Sequence, residues 1–232
     1  MNTKSGFSII GYTGTDNVSD TFSHGLTKKP DFAIFKNRSR SGDDWIVYHS
    51  SQGATKRGKL NLTNAFDSQT SQFNDTEPTS SVFTIGTFDN INKLNNNYIA
   101  YIWAEIPGFS KFGSYTGNGN ADGPVIITGF RPRWIMTKSS STGGTGYDWH
   151  VYDTARDTYN TASKFLDPNT SQVEQTRSDG ANITTMYFDI LSNGFKLRNS
   201  LASPNQSGQT YIYAAFAEAP TFNLYGAQSN AR

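Results

Sequence analysis

Residues Gly6–Asn17 read GFSIIGYTGTDN, and residues Gly108–Asn120 read GFSKFGSYTGNGN. Gly-Phe-Ser followed shortly by Tyr-Thr-Gly thus occurs twice, about a hundred residues apart. Self-similarity at such spacing marks a structural unit used twice. With a few residues of drift in the loops, four more pairs follow in the same order. HGLTKKPDFAIFK (His24–Lys36) faces TGFRPRWIMTK (Thr128–Lys138), with Pro30 on Pro132 and Lys36 on Lys138. DWIVYH (Asp44–His49) faces DWHVYD (Asp148–Asp153), and VFTIG (Val82–Gly86) faces GFKLR (Gly194–Arg198). YIAYIWAEIP (Tyr98–Pro107) faces YIYAAFAEAP (Tyr211–Pro220).

Each block is a short run of Val, Ile, Tyr, Phe, Trp and Thr between Gly, Pro, Asn or Ser clusters, the pattern of a strand between turns. Asn118-Gly119, Asn193-Gly194 and Gly143-Gly144 supply residues that tolerate positive φ at tight connections. No window sustains a 3.6-residue period over three turns, and Tyr152–Asn160 is the best candidate for a single helical turn. The strand Tyr98–Glu105 is apolar on both faces and so belongs inside a sandwich. The expected fold is all-β: two tandem duplicated antiparallel β-sandwich-like, jelly-roll-like units, residues 1–107 and 108–232.

Aromatic residues make up 14% of the chain while the whole hydrophobic set is 35%, so the cores rest on rings. A net charge of +1 without a basic stripe argues against nucleic-acid binding, which draws its affinity from phosphate neutralisation. The absence of cysteine excludes disulfides and thiolate metal sites. The N-terminus carries no signal-peptide pattern and no segment has the roughly 20 apolar residues of a membrane span. The expectation is synthesis in the cytoplasm without membrane insertion. The Asn-x-Ser/Thr triplets at Asn37, Asn61, Asn74, Asn169, Asn182 and Asn205 read as composition rather than glycosylation.

The three histidines, His24, His49 and His150, share no metal-ligand spacing. Glu105 and Glu218 end equivalent strands. Equivalent carboxylates in separate units do not form a glycosidase pair, so both read as strand-end partners of a cation or of backbone N–H groups. In TGNGNADG (Thr116–Gly123), Asn118, Asn120 and Asp122 alternate as oxygen donors, making them weak calcium candidates beside the plainer reading of a tight turn. Trp45 and Trp149 are either platforms for sugar rings or, as their repetition favours, core residues. Contact surfaces are expected at the Ser/Gly-rich tips and irregular loops, with Arg38, Arg40, Asp43, Thr142, Tyr147, Tyr159 and Asn160 as candidates. Nucleophilic triads, phosphate loops and zinc spacings leave no sequence signature here, so no enzyme and no cofactor are expected.

HGLTKKPDFAIFK, DWIVYH, GFSKFGSYTGNGNADGP, TGFRPRW, LSNGFKLR and YIYAAFAEAP together resemble a repeat domain of virion structural proteins of tailed bacteriophages, especially marine ones, where it occurs in tail fibres and other virion-associated proteins. The resemblance spans nearly the whole chain. It implies a structural or adhesive component of the virion, tail- or fibre-associated, with a capsid decoration protein as the alternative. A carbohydrate-active depolymerase or a lectin on the same scaffold is the rival class. Expected partners are other virion proteins, identical subunits in a homo-oligomer such as a trimer, and a host-surface glycan. The resemblance carries no catalytic residue with it.

Overall fold

The Tyr-Thr-Gly stretch ends the first strand of each half of the chain in the computed structural model, which describes residues 1–176 and 188–218. The protein is nearly all β and divides into two compact units, Met1–Ile106 and Pro107–Arg232. Unit 1 contains β1 (Phe7–Thr13), β2 (Asp20–Ser23), β3 (Phe32–Asn37), β4 (Ile46–His49), β5 (Lys56–Lys59), β6 (Asp67–Ser68), α1 (Thr70–Phe73), β7 (Val82–Ile85), α2 (Asp89–Asn92) and β8 (Asn97–Trp103). Its main antiparallel sheet runs β1-β8-β3-β4-β5-β6, and β2 pairs with β7 in a separate ribbon. The last strand therefore enters between the first and the third.

Unit 2 contains β9 (Ser110–Thr116), β10 (Val125–Ile127), β11 (Pro132–Ser139), β12 (His150–Asp153), β13 (Lys164–Leu166), β14 (Gln175–Thr176), β15 (Phe188–Leu191), β16 (Gly194–Leu197), α3 (Ala202–Asn205) and β17 (Thr210–Ala217). Its main sheet runs β9-β17-β11-β12-β13-β14, the same strand order as unit 1. The small sheet has three strands, β10-β16-β15, instead of two. Registers correspond as well: Lys36 opposes Ile99 and Lys138 opposes Ile212, one residue past the Tyr12–Tyr98 and Tyr115–Tyr211 pairs. A bulge between Pro132 and Trp134 in β11 has no counterpart in β3. Tyr152–Asn160 forms a single hydrogen-bonded turn, Arg156 and Asp157 N–H donating to Asp153 O, while four-residue helices occur at α1 and α2 and α3 is a kinked turn in which Ser203 and Pro204 leave helical φ/ψ.

Strand β8 buries Tyr98, Ala100 and Ile102 and leaves the alternate Ile99, Tyr101 and Trp103 half-buried, the period-2 pattern of a strand with one core face. Unit 1's core gathers Phe35, Tyr48, Phe73 and Phe83, which meet edge-on or tilted at 5.1–5.8 Å. Unit 2 repeats the device with Tyr152–Phe188 at 4.3 Å, Phe188–Phe195 at 5.4 Å and Phe195–Tyr213 at 5.5 Å. Each such pair adds about 0.5–1.5 kcal/mol beyond the area it buries.

The repeated Tyr-Thr-Gly now has a cause. Tyr12 stacks on Tyr98 and Tyr115 on Tyr211, both at 5.2 Å. The outer hydroxyls donate into the last helical turn, Tyr12 to Ile91 O at 2.7 Å and Tyr115 to Pro204 O at 3.1 Å. The inner hydroxyls accept the next N–H, Lys93 on Tyr98 at 2.8 Å and Gln206 on Tyr211 at 2.9 Å. Burial pushes the Tyr12 and Tyr115 phenols well above their ordinary range and Tyr211 up to about 12, so all three stay neutral. The helical turn ends on a fully buried asparagine in each unit, Asn92 or Asn205. Asn92 Oδ1 accepts the Thr15 N–H at 2.9 Å while its Nδ2 donates to Asn17 O and Gly86 O. Asn205 Oδ1 accepts the Asn118 N–H at 2.9 Å while its Nδ2 donates to Asn120 O and Asn199 O. Between them sits the glycine: a Cβ on Gly14 would lie 2.2 Å from Lys93 O, and on Gly117 2.3 Å from Gln206 O.

Not every glycine acts as its sequence context suggests. Gly119 and Gly144 adopt positive φ, as expected, but Asn193 and Gly194 do not. Gly194 is required instead by packing, since its Cβ would meet Ile126 O at 2.0 Å.

The turn before β3 is also shared. In unit 1 the Leu26 N–H donates to His24 Nδ1 at 3.1 Å, and in unit 2 the Phe130 N–H donates to Thr128 Oγ1 at 3.4 Å. Gly25 and Gly129 supply the positive φ between them. The other ring nitrogen of His24 faces Thr79 O at 3.2 Å, so Nε2 carries the proton and the ring is neutral.

Two outcomes follow. Gly14→Ala forces Cβ against a backbone carbonyl and lowers stability by about 1–3 kcal/mol, whereas Gly11→Ala, with its nearest atom at 3.9 Å, stays within about 0.5 kcal/mol; urea melts of both variants check the contrast. Desolvation lowers the His24 pKa below its ordinary 6.5. The unfolded chain therefore takes up that proton first, so this contribution to stability is intact above pH 6.5 and is lost as pH falls below it. In paired thermal melts at pH 7 and pH 5, His24→Thr, the residue unit 2 uses, loses less melting temperature than the parent.

Candidate functional site

The loops that leave β3 and β11 were singled out as contact surfaces. Asn37 ends β3 and is buried, its Nδ2 donating to Asp43 Oδ2 at 2.7 Å and its Oδ1 accepting the Ser39 N–H at 2.9 Å. Lys36 Nζ donates to Asp43 O. Asp43 is thus a strut of the loop. Arg40 pairs with Asp43 at 3.4 Å and Asp89 at 2.9 Å, while Arg38 is exposed and forms no ion pair with the described residues. In the corresponding loop of unit 2, Thr142 Oγ1 donates to Gln209 Oε1, and the Tyr147 hydroxyl donates to Gln206 Oε1. Both are half-buried.

Tyr159 is 83% exposed, a ring at the surface. Its neighbour Asn160 does not present its amide: Oδ1 accepts the Ile190 N–H at 2.9 Å and Nδ2 donates to Ile190 O at 3.0 Å, so the side chain pairs with β15 as a strand residue would.

Beside the Arg38 loop, at the ends of β1, β3 and β8, lies a cleft of about 320 Å3 lined by Gly11, Tyr12, Thr13, Arg38, Ser39, Asn97 and Tyr98. Thr13 Oγ1 donates to Asn97 Oδ1 at 3.2 Å, and Ser39 Oγ accepts the Asn97 N–H at 2.8 Å. The lining offers a guanidinium, hydroxyls and an amide within one depression.

The calcium candidates are committed elsewhere. Asn118 Oδ1 accepts the Asn120 N–H at 3.0 Å, and Asn120 Oδ1 accepts the Asp122 N–H at 2.8 Å. Such self-bonding is what Asn does in a tight turn. Asp122 pairs with Lys196 and lies 4.0 Å from Arg198, which together hold its carboxyl below the usual range. Glu218 sits 3.5 Å from Arg131 and 3.8 Å from Arg133, the strand-end partnership expected of it, and the Glu105 N–H donates to Asp31 Oδ2.

The tryptophans differ. Trp149 is buried, but Trp45 is 36% exposed, which corrects the core reading for that copy. The Lys36 ammonium lies 5.7 Å from the Trp45 ring centroid, whereas the equivalent Lys138 is buried and donates to Ser139 O at 2.9 Å. Burial lowers the Lys138 pKa to about 8. What the Asp-Trp repeat preserves is a backbone clamp: the Trp45 N–H donates to Asn61 Oδ1 and the Trp149 N–H to Asn169 Oδ1, both at 2.9 Å. Each of these asparagines also donates Nδ2 to the preceding aspartate, Asp44 or Asp148. Asn61 and Asn169, like Asn37 and Asn205, are therefore structural positions and not incidental composition. Asn182 lies outside the described residues.

One arrangement left no sequence signature. His150 Nδ1 lies 2.7 Å from Asp167 Oδ1 and His150 Nε2 lies 3.0 Å from Ser203 Oγ, so a Ser–His–Asp chain exists in unit 2 although none was expected. The three positions span β12, the end of β13 and α3, with no common motif. The available hint was the paired-block comparison, in which His150 stands where unit 1 has Ile46.

No curated protein and no solved structure matches this chain. A family model does, running across both units from residue 1 to residue 220. The chain accordingly belongs to the family described as Domain of unknown function (DUF7483).

Proposed function

We propose that the protein is a structural and adhesive component of a tailed-phage particle, tail- or fibre-associated, and that it meets a host-surface glycan through unit 1. The observation that carries the adhesive part is the polar cleft beside the Arg38–Asp43 loop. Sugars are recognised by hydrogen-bond donors and acceptors fixed on a rigid frame, and Arg38, Thr13, Ser39 and Asn97 stand at the ends of three adjacent strands of one sheet. The structural part rests on the sequence resemblance and on an architecture that needs no cysteine and is held by aromatic packing. Among the described residues the main sheet of unit 1 ends at β1 and β6, and sheet edges are commonly covered by identical or neighbouring subunits. A homo-oligomer, a trimer in a fibre, meets that need.

Mass spectrometry of purified particles, with antibody labelling to place the chain, is expected to find it on the tail. Labelling on the head instead assigns a capsid decoration role, and absence from particles overturns the reading. Incubation with host polysaccharide is expected to show retention without new reducing ends. Arg38→Ala is expected to weaken that retention about tenfold, roughly the 1.4 kcal/mol of a lost charged contact. Cleavage of the polymer would transfer the protein to the depolymerase class.

A further inference from the structure

Unit 2 buries a polar cluster at positions that unit 1 fills with apolar or unrelated side chains. In β11 and β12, Thr137 opposes His150, where β3 and β4 place Phe35 opposite Ile46. Asp167 follows β13 where unit 1 has Lys59, and Ser203 stands two residues before Asn205 as Asn90 stands before Asn92. The strand frame therefore closes without a Ser–His–Asp chain, and its presence in unit 2 is not a demand of the fold.

Its geometry is ordered for proton transfer. Asp167 Oδ1, 2.7 Å from His150 Nδ1, accepts that N–H and leaves the Nε2 lone pair to accept the Ser203 hydroxyl at 3.0 Å. The second Asp167 oxygen accepts from Gln175 Nε2 at 3.3 Å. The edge-on contact between the His150 ring and Phe165, at 5.1 Å and 88°, fixes the imidazole plane. Ser203 is 6% exposed and Asp167 9%, so the chain lies just beneath the surface.

Two neighbouring polar groups are incomplete. Thr137 Oγ1, cross-strand from His150, and Asn199 Nδ2, four residues before Ser203, are buried and have no hydrogen-bond partner among the described residues. An unpaired buried polar group costs about 1–3 kcal/mol, and unit 1 avoids that cost at the first position by using Phe35.

We infer that Ser203, His150 and Asp167 form a serine-type acyl-transfer site for short-chain carboxylic esters, a function beyond the adhesive reading. Ser203 Oγ attacks the ester carbonyl carbon as its proton passes to His150 Nε2. The bond from that carbon to the alkoxy oxygen breaks, and the alcohol leaves with the proton from His150. Water, deprotonated by His150, then attacks the acyl-Ser203 ester, giving the free acid and returning the proton to Ser203. Asp167 is the positioning residue that holds the tautomer.

The test is reaction of the full chain with a fluorophosphonate, in which an Oγ–P bond forms and the P–F bond breaks with release of HF. Peptide mapping is expected to place the adduct on Ser203 and on no other serine, and Ser203→Ala is expected to lose it. His150→Ile, which installs the residue unit 1 uses and whose folding is checked by a thermal melt, is expected to slow labelling about a hundredfold or more. Asp167→Asn is expected to slow it as well, and p-nitrophenyl acetate turnover should follow the same order. An unlabelled Ser203 in the folded parent chain, or equal labelling rates in the parent and His150→Ile, overturns the proposal.

Discussion

Each unit is closed by its last strand. β8 enters between β1 and β3, and β17 between β9 and β11, so the first and third strands of each unit are joined in the sheet only through that strand. Among the described residues, β1 and β9 pair in their main sheets with that last strand. Such closure joins residues about ninety apart and carries a loop-closure cost that grows only as the logarithm of the separation. The stacked tyrosine pairs, the buried asparagine and the close glycine all lie at the end of this seam. They make closure specific, since a one-residue slip of the last strand would turn Tyr98 or Tyr211 away from its partner.

The polar groups at that seam are nearly all satisfied by backbone. Asn92 and Asn205 each join the loop after the first strand to the helical turn before the last, with both ends of the amide in use. In a chain with few aliphatic residues and no cysteine, this kind of internal hydrogen bonding supplies the definition that a larger aliphatic core would otherwise give. It also explains why asparagine is abundant in the chain: Asn37, Asn61, Asn92, Asn160, Asn169 and Asn205 all use their amides to hold main chain.

The strand order common to the two units lets each serve as the control for the other. Positions alike in both units, such as the tyrosine stack and the Asp-Trp clamp, answer to the fold. Positions that differ are free of that demand, and the differences are uneven. Unit 1 keeps a polar cleft at its strand ends with Arg38 in no ion pair among the described residues, while unit 2 carries the buried serine, histidine and aspartate where unit 1 has Asn90, Ile46 and Lys59. Exposed loops and buried clusters are therefore separate routes by which the same sheet takes on different chemistry.

The all-β class and the paired strand blocks were legible in the sequence, because strand alternation and turn residues are local properties written within six to ten residues. The position of Lys36 on Lys138 and of His49 on Asp153 could be read the same way, since both follow from counting along matched strands. The roles of single side chains could not. Trp45 and Trp149 share a local sequence yet differ in exposure, and Asn118, Asn120 and Asp122 resemble metal ligands until their oxygens are seen bound to backbone and lysine. The Ser203–His150–Asp167 chain depends on three elements meeting in space. Hydrogen bonds of this kind are fixed by distances of about 3 Å between groups far apart in the chain. Only the tertiary structure brings them within that reach.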